Sequence, residues 1–554
     1  MPPQTRRKAI KTIGAGAVGI SAGLAGCFGD DDDADDTTEP TDPEELGDPV
    51  EELTILSLAQ GDGPFRYEYG MMIQENVEEL GFEVEYEPEP ITEYVDRQYN
   101  DPWPFDLIVR RTGDGFEPAE DNLRRFYYSE HIGDGGQNIY GYESEEVDEL
   151  LNEQAAELDE ERRTELIHEL QEVLREDMPT APNLIQERVM PYNADLFENP
   201  VTMPEDGLGG FWNFLQIEPT DESDGHLRTT MAEDYRAINP LDQISRGDRE
   251  LVRLVFDPLM RITPDVEVEP WAAESVDLPD DTTIDITLRD GMEFHDGEPI
   301  TAETVQFSYE FGAEESTWVE GRVGVLDEIE VHDDLELTFH LSEPSAPFFG
   351  SALARIMIIP PHIWEDPPAD PAMDYDNLDA IGSGPFQVVE GDAEQVILEA
   401  NEDHFNPPNV DRVTRVNIAD MSGAVRAFED ESLEMITWEL SPDDFARFEE
   451  EDWIGLDEAL MTSVHHLGFN NRNEPLDDVA VRQALAHTIP KDDIVSAIYA
   501  GMAQPIDAQI SSAFEEWYND DVEPIEFDLD QARSILEEAG YGWDDEGRIH
   551  YPAE

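Results

Sequence analysis

Apolar and polar residues alternate from 52 to 58, with Leu53, Ile55 and Leu56 at the apolar positions, which predicts a half-buried strand. Helical spacing follows from Tyr69 to Leu80 and stops at Gly81; Phe82 to Tyr86 alternates again. A strand, helix and second strand in this order form the building block of an α/β layer. Asp106 to Val109 predicts a further strand, ending in a loop that reads Arg110-Arg111-Thr112-Gly113-Asp114-Gly115. Two amphipathic helices come next, 145–158 and 160–175, with Val147, Leu150 and Leu151, then Leu166, Ile167, Leu170, Val173 and Leu174 on their apolar stripes. A passage rich in Pro and Gly ends near 221–225, after which short strands and turns dominate.

The first 49 residues lack this patterning. Thr5-Arg6-Arg7-Lys8 precedes an uncharged stretch from Thr12 to Gly26 that is too short and too rich in glycine to span a bilayer of about 30 Å. It resembles a twin-arginine export signal, and Leu24-Ala25-Gly26-Cys27 resembles a lipobox whose cysteine is acylated after cleavage. Residues 1–27 are therefore expected to be the signal, and 28–49, mostly Asp, Thr, Pro and Glu, a disordered acidic tether. Cys27 is the single cysteine, which leaves no internal disulfide and no thiolate metal cluster.

Charge changes the picture further. The chain carries 133 acidic residues against 32 Lys and Arg, a formal net charge of −101, which excludes binding to nucleic acid through phosphate contacts. Acidic residues are interspersed among apolar periodic segments, so the chain folds rather than staying disordered. After Cys27 the only lysine is Lys491, a bias that resembles proteins of extreme halophiles. At 554 residues the chain exceeds what one core supports, so two or more domains are expected.

The most specific pattern lies in residues 271–310: a tryptophan-alanine start, alternating strands around Arg289-Asp290-Gly291 and His295-Asp296-Gly297, and a helix capped at Thr301. This segment resembles one shared by family 5 extracytoplasmic solute-binding proteins, the peptide, nickel and oligosaccharide receptors of ABC importers. His295 there reads as a turn-stabilising residue. Ile381-Gly382-Ser383-Gly384-Pro385-Phe386, Leu467 to Ala484 and Asp528 to Gly547 follow in the family's order. The elements that would come next in the family match residues 51–190 instead, so the chain reads as a circular permutant, which is tolerable when the original termini are neighbours. A truncated tandem is the alternative.

The resemblance implies a two-lobed α/β fold of the periplasmic-binding-protein type (class II), circularly permuted, with an extra subdomain on the first lobe. Expected boundaries are 50–200 for the second part of lobe 2, 201–224 for the return to lobe 1 and the junction, 225–458 for lobe 1 with a subdomain at about 260–375, and 459–554 for the first part of lobe 2. It further implies a monomeric, lipid-anchored receptor on the extracytoplasmic face that captures short peptides and delivers them to an ABC permease, without cofactor or metal. Nickel, haem or oligosaccharide binding, or solute sensing without transport, remain alternatives. A hydrolase is disfavoured because no HExxH, GxSxG or reactive cysteine is present, and His465-His466 lie on a predicted strand and point to opposite faces.

By the same resemblance Asp114 is the carboxylate that meets a peptide ammonium. Arg110 and Arg111 depart from the family's pattern there; one arginine pairs with Asp114 or selects an anionic ligand bidentately. Trp438 and Asn239 are further ligand-binding candidates.

Self-repulsion at this charge is screened only when the Debye length falls to about 3 Å, at roughly 1 M salt. The thermal unfolding midpoint is therefore expected to rise steeply with added KCl toward that concentration; a midpoint independent of salt contradicts the halophilic reading.

Overall fold

The computed structural model describes residues 46–553 except 101, 113–118, 134–135, 232–236, 244–245, 366, 368, 370 and 393. The signal with Cys27, most of the tether, and Asp114 lie outside the described residues.

The predicted strand, helix and strand at the start of the patterned chain are strand Leu53–Leu58, helix Pro64–Glu79 and strand Val84–Glu89, with the helix opening five residues earlier than its apolar spacing indicates because Pro64 can initiate it. Strand Leu107–Thr112 runs parallel to Leu53–Leu58 and takes in Arg110 and Arg111, which the sequence assigns to a loop. The apolar contribution of strand neighbours outweighs the charge of the two arginines, and pairing with Val464–Phe469 continues through both. The two amphipathic helices are Glu145–Ala156, capped by Ser144, and Glu160–Asp177, capped by Asp159.

These elements form a seven-stranded sheet whose order is Ile454–Leu460, Thr180–Asn193, Val464–Phe469, Leu107–Thr112, Leu53–Leu58, Val84–Glu89, with Ala503–Pro505 also on Thr180–Asn193. Strand alternation divides its apolar residues between two faces. Leu53, Ile55, Leu107 and Val109 join a core with Tyr69, Ile73 and Leu467, whereas Leu56, Leu58 and Ile108 join another with Leu150, Leu166 and Leu170.

A separate, larger core runs from Met190 to Met435. It is built on an antiparallel four-stranded sheet, Ala273–Asp280, Thr283–Leu288, Glu336–Leu341 and Leu326–Val331, covered by helix Ala302–Glu315, and on a second sheet in which His226–Thr230 pairs in parallel with Arg412–Val416. Helix Ala302–Glu315 carries the expected cap, Thr301 accepting from the Thr304 amide while the Thr304 hydroxyl accepts from the Thr301 amide.

Two segments connect the cores. Thr180–Asn193 starts against Val464–Phe469 and continues against Ile454–Leu460, with register from Glu187↔Leu460 to Asn193↔Ile454. Its far end reaches Met435 through a bridge from Tyr192.

The expected tether needs correction at its boundary. Leu46–Pro49 is a strand paired with Ile549–Pro552, Leu46 opposite Pro552, so ordered structure begins before residue 50. The Tyr551 hydroxyl donates to Glu51 at 2.9 Å, so the neighbourhood of Glu51 and Pro552 that permutation requires is present.

The motif segments of the larger core converge on one buried carboxylate. Asp257 accepts from the Trp271 indole at 2.7 Å and the Ser383 hydroxyl at 2.9 Å, with His404 at 3.4 Å and Arg261 at 3.7 Å. Burial alone would raise its pKa; His404, Arg261 and the Trp271 donor outweigh burial and bring it down to about 2. His295 clamps the Gly382-Ser383-Gly384 turn beside it, Nδ1 accepting from the Gly382 amide at 3.2 Å and Nε2 donating to the Gly384 carbonyl at 3.0 Å. Its role is turn-stabilising, as its sequence context indicates.

Because Asp257 ionises more readily folded than unfolded, its contribution is complete above the unfolded carboxylate value of about 3.9 and is lost as pH falls toward the folded value. Asp257→Asn leaves Arg261 buried without its counter-ion and is expected to cost about 3–5 kcal/mol in urea denaturation at molar salt. A cost below about 1 kcal/mol, the scale of an exposed pair, contradicts this role.

Candidate functional site

In an open α/β sheet the carboxyl ends of parallel strands leave a crevice beside the helix that follows. Here that edge is the end of Leu53–Leu58 and Leu107–Thr112, together with the start of helix Pro64–Glu79. Gly63 caps this helix without a side-chain hydrogen bond, no acidic residue occupies its first turn, and Arg66 stands there instead. A cation in the first turn opposes the helix dipole, so the fold places it against local preference.

Strand alternation sends the two neighbouring arginines apart. Arg110 enters the face covered by the two amphipathic helices and is buried. Its guanidinium lies 4.9 Å from the centre of the Phe126 ring and donates to the Tyr99 hydroxyl at 2.7 Å and to Tyr140 at 3.4 Å. Tyr140 in turn donates to His466 Nε2 at 2.6 Å, and His466 Nδ1 donates to the Val464 carbonyl at 3.2 Å. Every member has a defined donor or acceptor role, so Arg110 anchors a polar network inside the fold. An aromatic cage thus occupies the guanidinium of Arg110, one of the expected ligand contacts.

Arg111 points to the opposite face, where it is half-buried beside Met461 and paired in register with His465. His465 is 4 % exposed, and its Nδ1 meets the Tyr69 hydroxyl at 3.1 Å. Burial first, then Arg111 and Arg66, hold His465 well below the usual histidine range, so it is neutral. Tyr499 is also buried, 6.1 Å from His465 between ring centres, and feels both arginines. Neither His465 Nε2 nor the Tyr499 hydroxyl has a hydrogen-bond partner among the described residues.

Of the remaining candidates, Asn239 is fully buried and its amide donates to the carbonyls of Ala372 and Tyr375 at 3.0 and 2.9 Å. It closes a turn of the larger core. Trp438 is half-buried against the apolar cluster around Phe428 and Phe448, next to Glu439, which pairs with Arg188 at 3.2 Å. Arg66, Tyr69 and Tyr499 are absent from the sequence-derived set. Arg66 alone left a signal, as a rare cation in a helix start where acids are the rule. Among the described residues no group of three or more His, Cys, Asp or Glu side chains is arranged to hold a metal ion.

The description "Bacterial extracellular solute-binding proteins, family 5 Middle" fits residues 267–553, just over half the chain. The chain belongs to this family. Family 5 relatives include the oligopeptide-binding protein AppA of Bacillus subtilis (strain 168), 28% identical over 55% of this chain and 57% of its own length. The dipeptide-binding protein of Escherichia coli (strain K12) is 28% identical over 50% of this chain and 55% of its own. The nickel-binding periplasmic protein of the same strain is 25% identical over 52% of this chain and 56% of its own. The chain thus spans a little over half the length of these curated relatives. Family 5 members are solute-binding proteins rather than enzymes, and no described helix here is long and apolar enough to cross a membrane.

The unfolded chain protonates histidine near pH 6.5, whereas burial beside Arg110 brings His466 down to about 3. Stability therefore falls as pH drops from about 6.5 toward 3, because only the unfolded state takes up these protons. Ring NMR signals of His465 and His466 are expected to stay constant from about pH 8 to about pH 5; titration near 6.5 contradicts the buried neutral network.

Proposed function

We propose that this protein is the binding receptor of an ABC importer, capturing short peptides between two α/β lobes on the extracytoplasmic face of the membrane, where acylated Cys27 anchors it. The observation that carries this reading is family 5 membership over residues 267–553, with oligopeptide- and dipeptide-binding proteins among its relatives. Residues 50–200 and 459–554 make one lobe and 225–458 the other, with 201–224 as the return and junction. The shared seven-stranded sheet and the separate core from Met190 to Met435 support that division.

Circular permutation accounts for the order of the segments. The pairing of Leu46–Pro49 with Ile549–Pro552 supports it, since joined ends of this kind are what a reordered chain needs. In the receptor, an extended peptide gains most of its affinity from main-chain hydrogen bonds, while Asp114 meets its ammonium through a short charge-assisted contact that survives high salt. The receptor acts as a monomer and supplies no chemistry.

Peptides of two to five residues, at about 100 times their dissociation constant in molar salt, are expected to stabilise the protein by roughly 2.7 kcal/mol, read as a rise in unfolding temperature. Asp114→Ala is expected to abolish the rise. A rise with nickel or oligosaccharide and none with any peptide sinks the peptide assignment.

A further inference from the structure

The hairpin of Met260–Ile262 and Val268–Pro270 belongs to the larger core at its base and leaves it at its tip. Ile262 and Val268 pack against that core, and the Ile262 carbonyl accepts from the Trp212 indole at 2.7 Å. Two backbone hydrogen bonds close the turn, the Thr263 amide donating to the Glu267 carbonyl at 2.8 Å and the Val266 amide to the Thr263 carbonyl at 3.0 Å. Val266 is thereby held in the left-handed region, at φ 66°. Among the described non-glycine residues at positive φ it is the only one branched at Cβ. Such a position in a tight turn favours glycine or asparagine, and a valine there sets its Cβ branches against the backbone. Local preference does not account for this residue.

Packing across the molecule does. The Val266 side chain lies half-buried against the cluster that the two amphipathic helices form with Leu56, Leu58 and Ile108, at whose margin Trp517 also packs. A second contact crosses between the same cores: the Ala346 amide, on the loop after strand Glu336–Leu341, donates to the Ala155 carbonyl at 2.9 Å. Ala155 stands in the last turn of helix Glu145–Ala156, where carbonyls have no partner within the helix, and Ala346 is 8 % exposed, so each group's hydrogen bond is supplied by the opposite core. Neither contact lies on the ladder of Thr180–Asn193 that joins the cores. Carboxylates flank both sides, Glu267 beside Val266 and Glu515-Glu516 before Trp517, and burial, then Glu160 and Glu267, push the Glu516 carboxyl up. An apolar contact attracts here without adding to that charge, and molar salt screens the remaining repulsion.

We propose that Val266 and the Ala346–Ala155 hydrogen bond form a clasp that holds the two lobes together at a place separate from their connecting strands. The clasp rests on the two-lobed receptor reading but not on what the solute is. Val266 is its positioning residue. Its backbone strain burdens the hairpin alone, and only the contact with the other core offsets it. A residue chosen for the turn by itself would relieve the strain and give up the contact, so the two roles are separable by substitution.

The test is hydrogen exchange of the protein in molar salt with no solute added, read at the Ala346 amide, alongside thermal unfolding. Val266→Asn fits the left-handed turn and removes the apolar branch. Its unfolding midpoint is expected to equal or exceed the parent's, because strain is relieved. Its Ala346 amide, slow to exchange in the parent, is expected to exchange about fivefold faster, the scale of losing a half-buried valine contact. Val266→Leu keeps an apolar side chain at the tip and is expected to hold Ala346 within about twofold of the parent. Strands Thr283–Leu288 and Leu107–Thr112 serve as internal references and are expected to exchange alike in all three proteins. An unprotected Ala346 in the parent, unchanged protection in Val266→Asn, or equal loss in Val266→Leu and Val266→Asn each overturns the clasp. So does a lowered midpoint of Val266→Asn with faster exchange throughout the larger core, which makes Val266 a residue of the fold alone. No readout involves a peptide, so loss of the peptide assignment leaves the clasp standing and loss of the clasp leaves the peptide assignment standing.

Discussion

The antiparallel ladder between Thr180–Asn193 and its partners Ile454–Leu460 and Val464–Phe469 is the constraint on which the rest of the structure depends. Its hydrogen bonds run through residues that belong to different cores: Ala181 and Leu184 pack with the seven-stranded sheet, whereas Met190 packs with the larger core. A strand buried along nearly its whole length cannot leave its backbone donors unpaired, so the two segments are fixed in register as they pass from one core to the other. That register sets where Met461 and Arg111 meet. It also makes segments far apart in the chain, 53–112 and 464–505, members of one sheet.

Buried charge is handled differently in the two cores. Asp257 is paired with Arg261 and surrounded by donors, and the arrangement of its neighbours, Trp271, Ser383 and the turn clamped by His295, follows from satisfying one carboxylate in a medium of low dielectric. Arg110 is buried without a carboxylate among the described residues; aromatic faces and tyrosine hydroxyls take that place, the kind of contact a delocalised, weakly hydrated guanidinium tolerates and a lysine would not. Each solution explains a residue that looks functional in the sequence. His295 and Arg110 hold backbone and side chains in position.

Surface acidity and internal arginine are complementary. Solvated carboxylates repel one another strongly only at low ionic strength, so they carry little structural information one by one. The scarce cations carry more. Lys491, the only lysine of the folded part, is buried and donates to the Ile506 carbonyl at 2.9 Å and to Asp507 at 2.5 Å, and Arg482 closes the carbonyl ends at Asp177 and Leu476. In this composition, a positively charged side chain marks a place where structure or ligand binding demands one.

Much of the fold was legible from the chain alone. Period-two and period-3.6 patterns located the strands around 53, 84 and 107, the helices after 145 and 160, and the cap at Thr301, because these depend on neighbours in sequence. The spacing of Arg289-Asp290-Gly291 and His295-Asp296-Gly297 carried the family resemblance for the same reason, since turns are local, with Gly291 and Gly297 both at positive φ. The extent of the strand through Arg110 and Arg111 was not legible, because pairing with a strand more than 350 residues away, rather than local propensity, extends it. Nor was the site. Arg66, Tyr69, Arg111, His465 and Tyr499 come from four separated segments, and only the sheet order brings them together. Sequence determined which elements form and which family their motifs resemble; tertiary structure decided which of two adjacent arginines enters the aromatic cage, because successive residues of a strand point to opposite faces and only packing settles which face is covered.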